Sequence, residues 1–383
     1  MSSKRDINQI YTTRAFACIF IVVVHCLEAA ISTVGNLSAG DGTGIVQAAL
    51  VLLKTGTPIF VMISAFLLAY AHRSKPLSGL GTRRSKILGP PFVVMALVYS
   101  LHRVWTEHSS IAKVPGFFLN NLLFAGYHGY FILIVLQFYF IYNAIVFTIG
   151  KIGPWWSLIL AFGINATWLS IFNFFPPPSG EKWSLIWTRV SWLPLPGWIF
   201  YFVVAFVLGL HAERVLNKLR RFRYVLAVAT VVCAFGIVLS IESGTIAVDS
   251  SKRIDFLVFA PLVFLVLMST GRMSGILGRF TYTVSEYSFG IYLTHILCII
   301  PAAKILSPLV GISPTPVYIL LLFILCLGMS VLLTLSIQQF RFGIYLVGPK
   351  GRRRELKAPR EISEGSAMGS PSLFADYSKE GDQ

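Results

Sequence analysis

An arginine and a histidine, Arg14 and His25, stand inside the first hydrophobic stretch of the chain, Ile10 to Glu28. On an α-helix their spacing of eleven residues turns through about 1100°, three turns and roughly 20°, so both side chains share one face. They are then about 16.5 Å apart along the axis, roughly half the thickness of a hydrocarbon core. A charge and an imidazole are costly in such surroundings, and the pair on one face marks a functional path. For either residue alone a plainer role suffices, Arg14 snorkelling to headgroups and His25 bonding a neighbouring helix. An imidazole in this position suits a general base or a transient acyl acceptor. A guanidinium, always charged, suits a phosphate, a thioester oxygen or a carboxylate. Glu28, three residues after His25, either orients the imidazole or meets water at the outer surface.

Three further stretches put polar side chains into apolar sequence. Lys54 precedes Thr57-Pro58-Ile59-Phe60-Val61-Met62-Ile63-Ser64-Ala65-Phe66; it is too deep to snorkel inward but can reach outward. Pro58 frees a backbone carbonyl and Ser64-Ala65 permits close helix approach, so a packing kink with a snorkelling lysine is the alternative there. Tyr127-His128-Gly129-Tyr130-Phe131 places His128 and Tyr130 at an interface, with Gln137 near mid-depth. Ser288, Tyr292 and His295 follow an i, i+4, i+7 spacing, one polar stripe on an apolar helix. For Ser288 the stripe reads as helix–helix glue. No Gly-rich phosphate loop, metalloprotease helix motif or Gly-x-Ser-x-Gly elbow is present. The five cysteines all fall in apolar runs, without zinc spacing or a disulfide framework, and neither these nor the histidines predict a metal site.

The elements that must position these residues follow from composition. Hydrophobic residues make up 55% of the 383 and charged residues only 13%, with a mean hydropathy of +0.73. A soluble chain carries about twice that charge fraction. The apolar residues fall in runs of about twenty, which predicts an all-α polytopic membrane protein. We count ten spans, roughly 8–32, 45–71, 87–104, 128–149, 155–175, 197–211, 224–241, 254–270, 283–302 and 316–338. The stretch 115–127 is too short to cross and reads as an interfacial or re-entrant lead. With the amino terminus inside, 23 Lys and Arg fall on the cytoplasmic side and 7 outside, Arg14 and Lys54 lying within spans. The asymmetry places both termini in the cytoplasm. The net charge of +16 is gathered between apolar runs, which points to anionic headgroups rather than nucleic acid. The first span, too long for a signal peptide and holding Arg14, reads as an uncleaved anchor. Residues 1–340 thus form a transmembrane domain, and 341–383 a basic juxtamembrane patch with a disordered tail.

Together, Arg14-x10-His25, the Pro58–Phe66 stretch, Tyr127–Phe131 with Gln137, and Ser288-Phe289-Gly290-Ile291-Tyr292-Leu293-Thr294-His295 resemble the acyltransferase-3 family over about residues 5–340. These are integral-membrane O-acyltransferases that modify envelope glycans. The fourth-span motif is similar to the branch near the intercellular-adhesin polysaccharide O-acyltransferases. Ala65 departs from the family pattern, which carries glycine at that place. The resemblance implies an acyl-CoA donor, commonly acetyl-CoA, delivered from the cytoplasm, and no metal. It implies an acceptor hydroxyl on an extracytoplasmic glycan or exopolysaccharide, with membrane lipids and polysaccharide-biosynthesis proteins as further partners. By motif, His25 is the catalytic histidine and Arg14 its partner for the donor. Lys54, Ser64, His128, Tyr130, Gln137, Tyr292 and His295 are candidates for lining the site. The cell membrane of a bacterium is the expected location. A second reading, a transporter or flippase for a polysaccharide intermediate, calls for paired broken helices near the midplane, and Pro58 has no counterpart in the other half. A third, a non-catalytic scaffold, requires none of the buried polar residues.

Overall fold

The apolar runs fold as helices, and several of the breaks between them fall where proline or glycine disrupts the backbone ladder. The computed structural model describes residues 8–34, 43–73, 75–246, 248–271, 273–310 and 315–348, and regular structure among them is helical. In chain order the longer helices begin with α1 (Asn8–Val34), α2 (Thr43–Leu53), α3 (Gly56–His72) and α4 (Leu80–Thr106). A short α5 (Val114–Leu123) leads to α6 (Tyr130–Phe174) and then α7 (Glu181–Trp192). The remainder are α8 (Ile199–Leu210), α9 (Ala212–Glu242), α10 (Phe256–Ser269), α11 (Gly275–Val310), α12 (Pro316–Gln339) and α13 (Ile344–Val347).

Pro58 accounts for the break between α2 and α3. Its ring lacks the N–H that would bond the carbonyl four residues back, and it crowds that carbonyl, which belongs to Lys54. The helix accordingly opens into a turn at Lys54-Thr55, closed by Lys54 N–H to Val51 O at 3.0 Å. At Gly153, φ 80° and ψ 164° interrupt α6 just before Pro154, between the predicted spans 128–149 and 155–175. Two other predicted spans, 197–211 and 254–270, are the apolar helices α8 and α10, of only 12 and 14 residues. A crossing takes about 20 residues. Both short helices pack among longer ones, α8 against α3 and α6 and α10 against α9, so their ends need not meet lipid. Seven helical segments among the described residues are long and apolar enough to cross a membrane: α1, α2–α3, α4, α6, α9, α11 and α12.

The helix α1 lies against α3, α11 and α12. Lipid tails are as apolar as leucine, so helices here are held by close packing rather than by escape from water. Gly56 shows the requirement: a Cβ on it would lie 2.8 Å from Ile21 Cγ1 and 2.9 Å from the Ala17 carbonyl. Gly209 of α8 meets the Phe66 backbone in the same manner. The fully buried Ala65 shows that alanine fits this interface. Between α6 and α8, Phe138 stacks on Phe202 at 4.2 Å. The five cysteines are free, four buried and Cys233 partly so. Of the 341–383 segment, α13 packs on α4, and residues 349–383 lie outside the described residues, as do Lys4, Arg5 and Arg272.

Candidate active site

His25 opens onto a cavity of about 520 Å³ that α1, the α2–α3 turn, the lead into α6, α7, α11 and the loop before α10 enclose together. Its Nδ1 lies 2.8 Å from Glu28 Oε2, one helical turn along α1. An ionised carboxylate can only accept, so Nδ1–H donates to Glu28 and Nε2 keeps its lone pair. That is the tautomer a base requires. Behind His25 is His295, ring centroids 5.2 Å apart. Its Nδ1–H donates to the Ile291 carbonyl at 3.0 Å, and its buried Nε2 has no hydrogen-bond partner among the described residues.

His128 sits 5.1 Å from His295, ring to ring. Its Nε2–H donates to the Tyr292 carbonyl at 2.8 Å, and the Tyr292 hydroxyl donates back to the His128 carbonyl. This reciprocal clamp ties the turn before α6 to α11. Tyr99 reinforces it with a 2.9 Å bond from its hydroxyl to the Leu293 carbonyl. Tyr130, Thr57 and Ser251 line the cavity together, and the Tyr130 ring is 4.5 Å from that of Trp192.

Lys54 projects from the turn that Pro58 creates. Its ammonium is 2.7 Å from Asp249 Oδ1 and 3.5 Å from Glu28 Oε1. Lys252, on the same loop as Asp249, is almost wholly buried. Its amine donates to the Gly197 carbonyl at 3.0 Å and sits on the face of Trp198. Burial with so few partners lowers its pKa well below the ordinary lysine value.

Arg14 lies on the other half of α1, outside the cavity, within electrostatic reach of Tyr11 and Tyr139. Arg84, in the second turn of α4, holds its guanidinium 5.5 Å from the centre of the same Tyr139 ring. Both guanidiniums act electrostatically on the Tyr139 phenol, and positive charge gathered there suits phosphate oxygens.

The structure therefore brings His25, Lys54, His128, Tyr130 and Tyr292 to the cavity wall, with His295 directly behind. Ser64 and Gln137 are placed elsewhere. Ser64 Oγ bonds back to the Phe60 carbonyl at 3.0 Å. Gln137 bonds Leu193 O at 3.0 Å and Leu195 N at 3.1 Å, fastening the turn ahead of α8. Sequence reasoning missed Asp249, Ser251 and Arg84. Arg84 was visible as one of three cations in Arg83-Arg84-Ser85-Lys86, but a loop charge run carries no sign of which member turns inward. Among the described residues no group of three or more His, Cys, Asp or Glu is placed to hold a metal ion.

A family model described as "Acyltransferase domain" (Acyl_transf_3) matches residues 7–335. The chain belongs to the acyltransferase-3 family. It is 28% identical over 364 residues to the "Putative membrane-bound acyltransferase YfiQ" of Bacillus subtilis, covering 94% of this chain and 99% of that protein. It is 27% identical over 292 residues to a "Probable poly-beta-1,6-N-acetyl-D-glucosamine export protein" of Staphylococcus aureus, covering 74% of this chain and 79% of the relative. A Staphylococcus epidermidis protein of the same name is 23% identical over 302 residues, 76% of this chain and 81% of its own. No solved structure matches the chain. With seven segments fit to cross a bilayer, this member is a multi-pass bacterial membrane enzyme of the acyltransferase type.

Proposed function

We propose that the protein transfers an acyl group, acetyl in the first instance, from cytoplasmic acyl-CoA to a hydroxyl of an extracytoplasmic glycan or exopolysaccharide. In this reading the chain crosses the membrane ten times with both termini in the cytoplasm, α8 and α10 each completing a crossing inside the bundle. Arg14, with Arg84 beside it, takes the donor's phosphates from the cytoplasmic face. His25 Nε2 removes the proton of the acceptor hydroxyl as its oxygen attacks the thioester carbonyl. The C–S bond breaks, and the departing thiolate recovers the proton from the imidazolium. Glu28 stabilises that imidazolium through Nδ1. The observation that carries the reading is the division of labour along α1: the guanidinium on one half, and on the other an imidazole with Nδ1 committed to Glu28.

The test is transfer of labelled acetyl from acetyl-CoA into glycan by membrane vesicles, at matched expression. His25→Ala lowers kcat by about 10²- to 10⁴-fold, the usual contribution of a general base. Arg14→Ala raises the KM for acetyl-CoA by about tenfold or more, as expected for a lost charge-assisted bond. Full activity in His25→Ala sinks the catalytic assignment. The names of the staphylococcal relatives favour a second reading, export of a polysaccharide intermediate. Export that continues unchanged in His25→Ala, without acyl transfer by wild type, would select it.

A further inference from the structure

Four charged or ionisable side chains run in sequence from the loop before α10 to the proposed base: Asp249, Lys54, Glu28 and His25. Resting on the acyl-transfer reading above, we propose that Asp249 is a positioning residue that acts on His25 through Lys54 and Glu28.

The geometry of the chain is directional. Glu28 gives one carboxylate oxygen to each neighbour, Oε2 to His25 at 2.8 Å and Oε1 to Lys54 at 3.5 Å. Lys54 in turn makes its closest contact with Asp249, at 2.7 Å, and adds a 3.3 Å bond to the Asp249 backbone carbonyl. The lysine is the buried link: its side chain is 14% exposed, against 41% for Glu28 and 43% for Asp249. A lysine so placed must be shared between carboxylates, and its position decides how much of Glu28's charge is left for the imidazole. With His25 neutral, two carboxylates and one ammonium leave a net charge of −1. When His25 takes a proton, the four groups sum to zero. The set is balanced for the imidazolium, the state that follows proton abstraction.

Asp249 reaches this place on a built loop. The buried Arg253 guanidinium donates to the carbonyls of Ile246 at 2.9 Å and Val248 at 3.3 Å and pairs with Asp255 at 2.7 Å. Asn173 of α6 grips the loop from the other side, at Lys252 O and Ile254 N. The other titratable groups around His25 are His295 and Tyr292 of α11, His128 and Tyr127 of the turn before α6, and Tyr130 at the start of α6. Lys252 turns away to Gly197.

The test reads His25 directly. Full-length protein in detergent is treated with diethyl pyrocarbonate, and modification of His25 is followed by mass spectrometry as a function of pH. The plateau rate reports access to the ring, and the midpoint reports the charges around it. Asp249→Asn moves the midpoint down by about half a pH unit, and Lys54→Met moves it up by a similar amount. Asp249→Glu, which keeps the charge, retains the wild-type midpoint. In the Lys54→Met background Asp249→Asn adds no further shift, because the connecting residue is gone. A midpoint that Asp249→Asn leaves unmoved, or moves equally without Lys54, overturns the proposal. Acetyl transfer on the same samples keeps the two readings apart: Asp249→Asn lowers kcat by about three- to tenfold with the KM for acetyl-CoA unchanged. If the midpoint pattern holds while wild type transfers no acetyl, the acyl-transfer reading fails and the coupling stands. If transfer is intact and the pattern absent, the coupling alone fails.

Discussion

A neutral imidazole can take a proton only on the nitrogen that is not already a donor, and at His25 that nitrogen is Nε2. Glu28 settles the matter by holding Nδ1–H at 2.8 Å. If Arg14 takes the donor as proposed, the corresponding question is what else binds it, because one guanidinium cannot neutralise a polyphosphate. Arg84 offers an answer, since its guanidinium lies 5.5 Å from the centre of the Tyr139 ring that Arg14 also faces electrostatically. We expect Arg84→Ala to raise the KM for acetyl-CoA by about three- to tenfold while kcat stays within twofold, measured by initial rates in vesicles. A change confined to kcat would remove Arg84 from the donor site. At this scale the sequence already showed Arg14, His25 and Lys54, because a polar residue in an apolar run is conspicuous. It hid Asp249 and Arg84, because a charge in a polar loop is not.

At the scale of the helices, two local features aim the side chains. Pro58 opens the turn that turns Lys54 toward Glu28 and Asp249, and Gly56 lets α3 lie directly on α1. A methyl group at Gly56 would meet Ile21 and the Ala17 backbone at under 3.0 Å. Gly56→Ala should therefore destabilise the protein by about 1–3 kcal/mol, the usual penalty for overpacking. Gly163→Ala is the control: it lies within α6 with open space around its Cβ position. That substitution should be neutral or stabilise by up to about 1 kcal/mol through helix propensity. Thermal unfolding in detergent measures both, and equal effects at the two sites would refute the close-packing account. The Pro58 break was legible from the residue itself. The need for glycine at 56 was not, since it arises from Ile21 and Ala17 on another helix.

Over the whole molecule, the loops on the His25 side are tied together by polar contacts, among them the buried bond from Lys252 to Gly197. Its lowered pKa makes stability depend on pH. In the unfolded chain the amine stays protonated up to about its ordinary value of 10.5, whereas the folded chain releases that proton at lower pH. Between those two values the unfolded state binds more protons, so stability rises with pH. Across pH 7 to 10, wild type should gain thermal stability relative to Lys252→Met; parallel curves would show that the lysine is not held in this way.

The sequence by itself determined that the chain is helical and membrane-embedded, where its proline and glycine breaks fall, and that one helix carries a guanidinium and an imidazole on a shared face. All of these are properties of one segment and its solvent. Tertiary structure alone decided which helices are neighbours, that α8 and α10 are short inserts within the bundle, and that the loop before α10 delivers Asp249 to Lys54. The physical reason is the lipid. In water a helix advertises its buried face by leaving the other face polar. In a bilayer both faces are apolar, and helix partners are chosen by the shapes of small residues and by a few polar contacts. Those shapes complement one another only once the chain has folded.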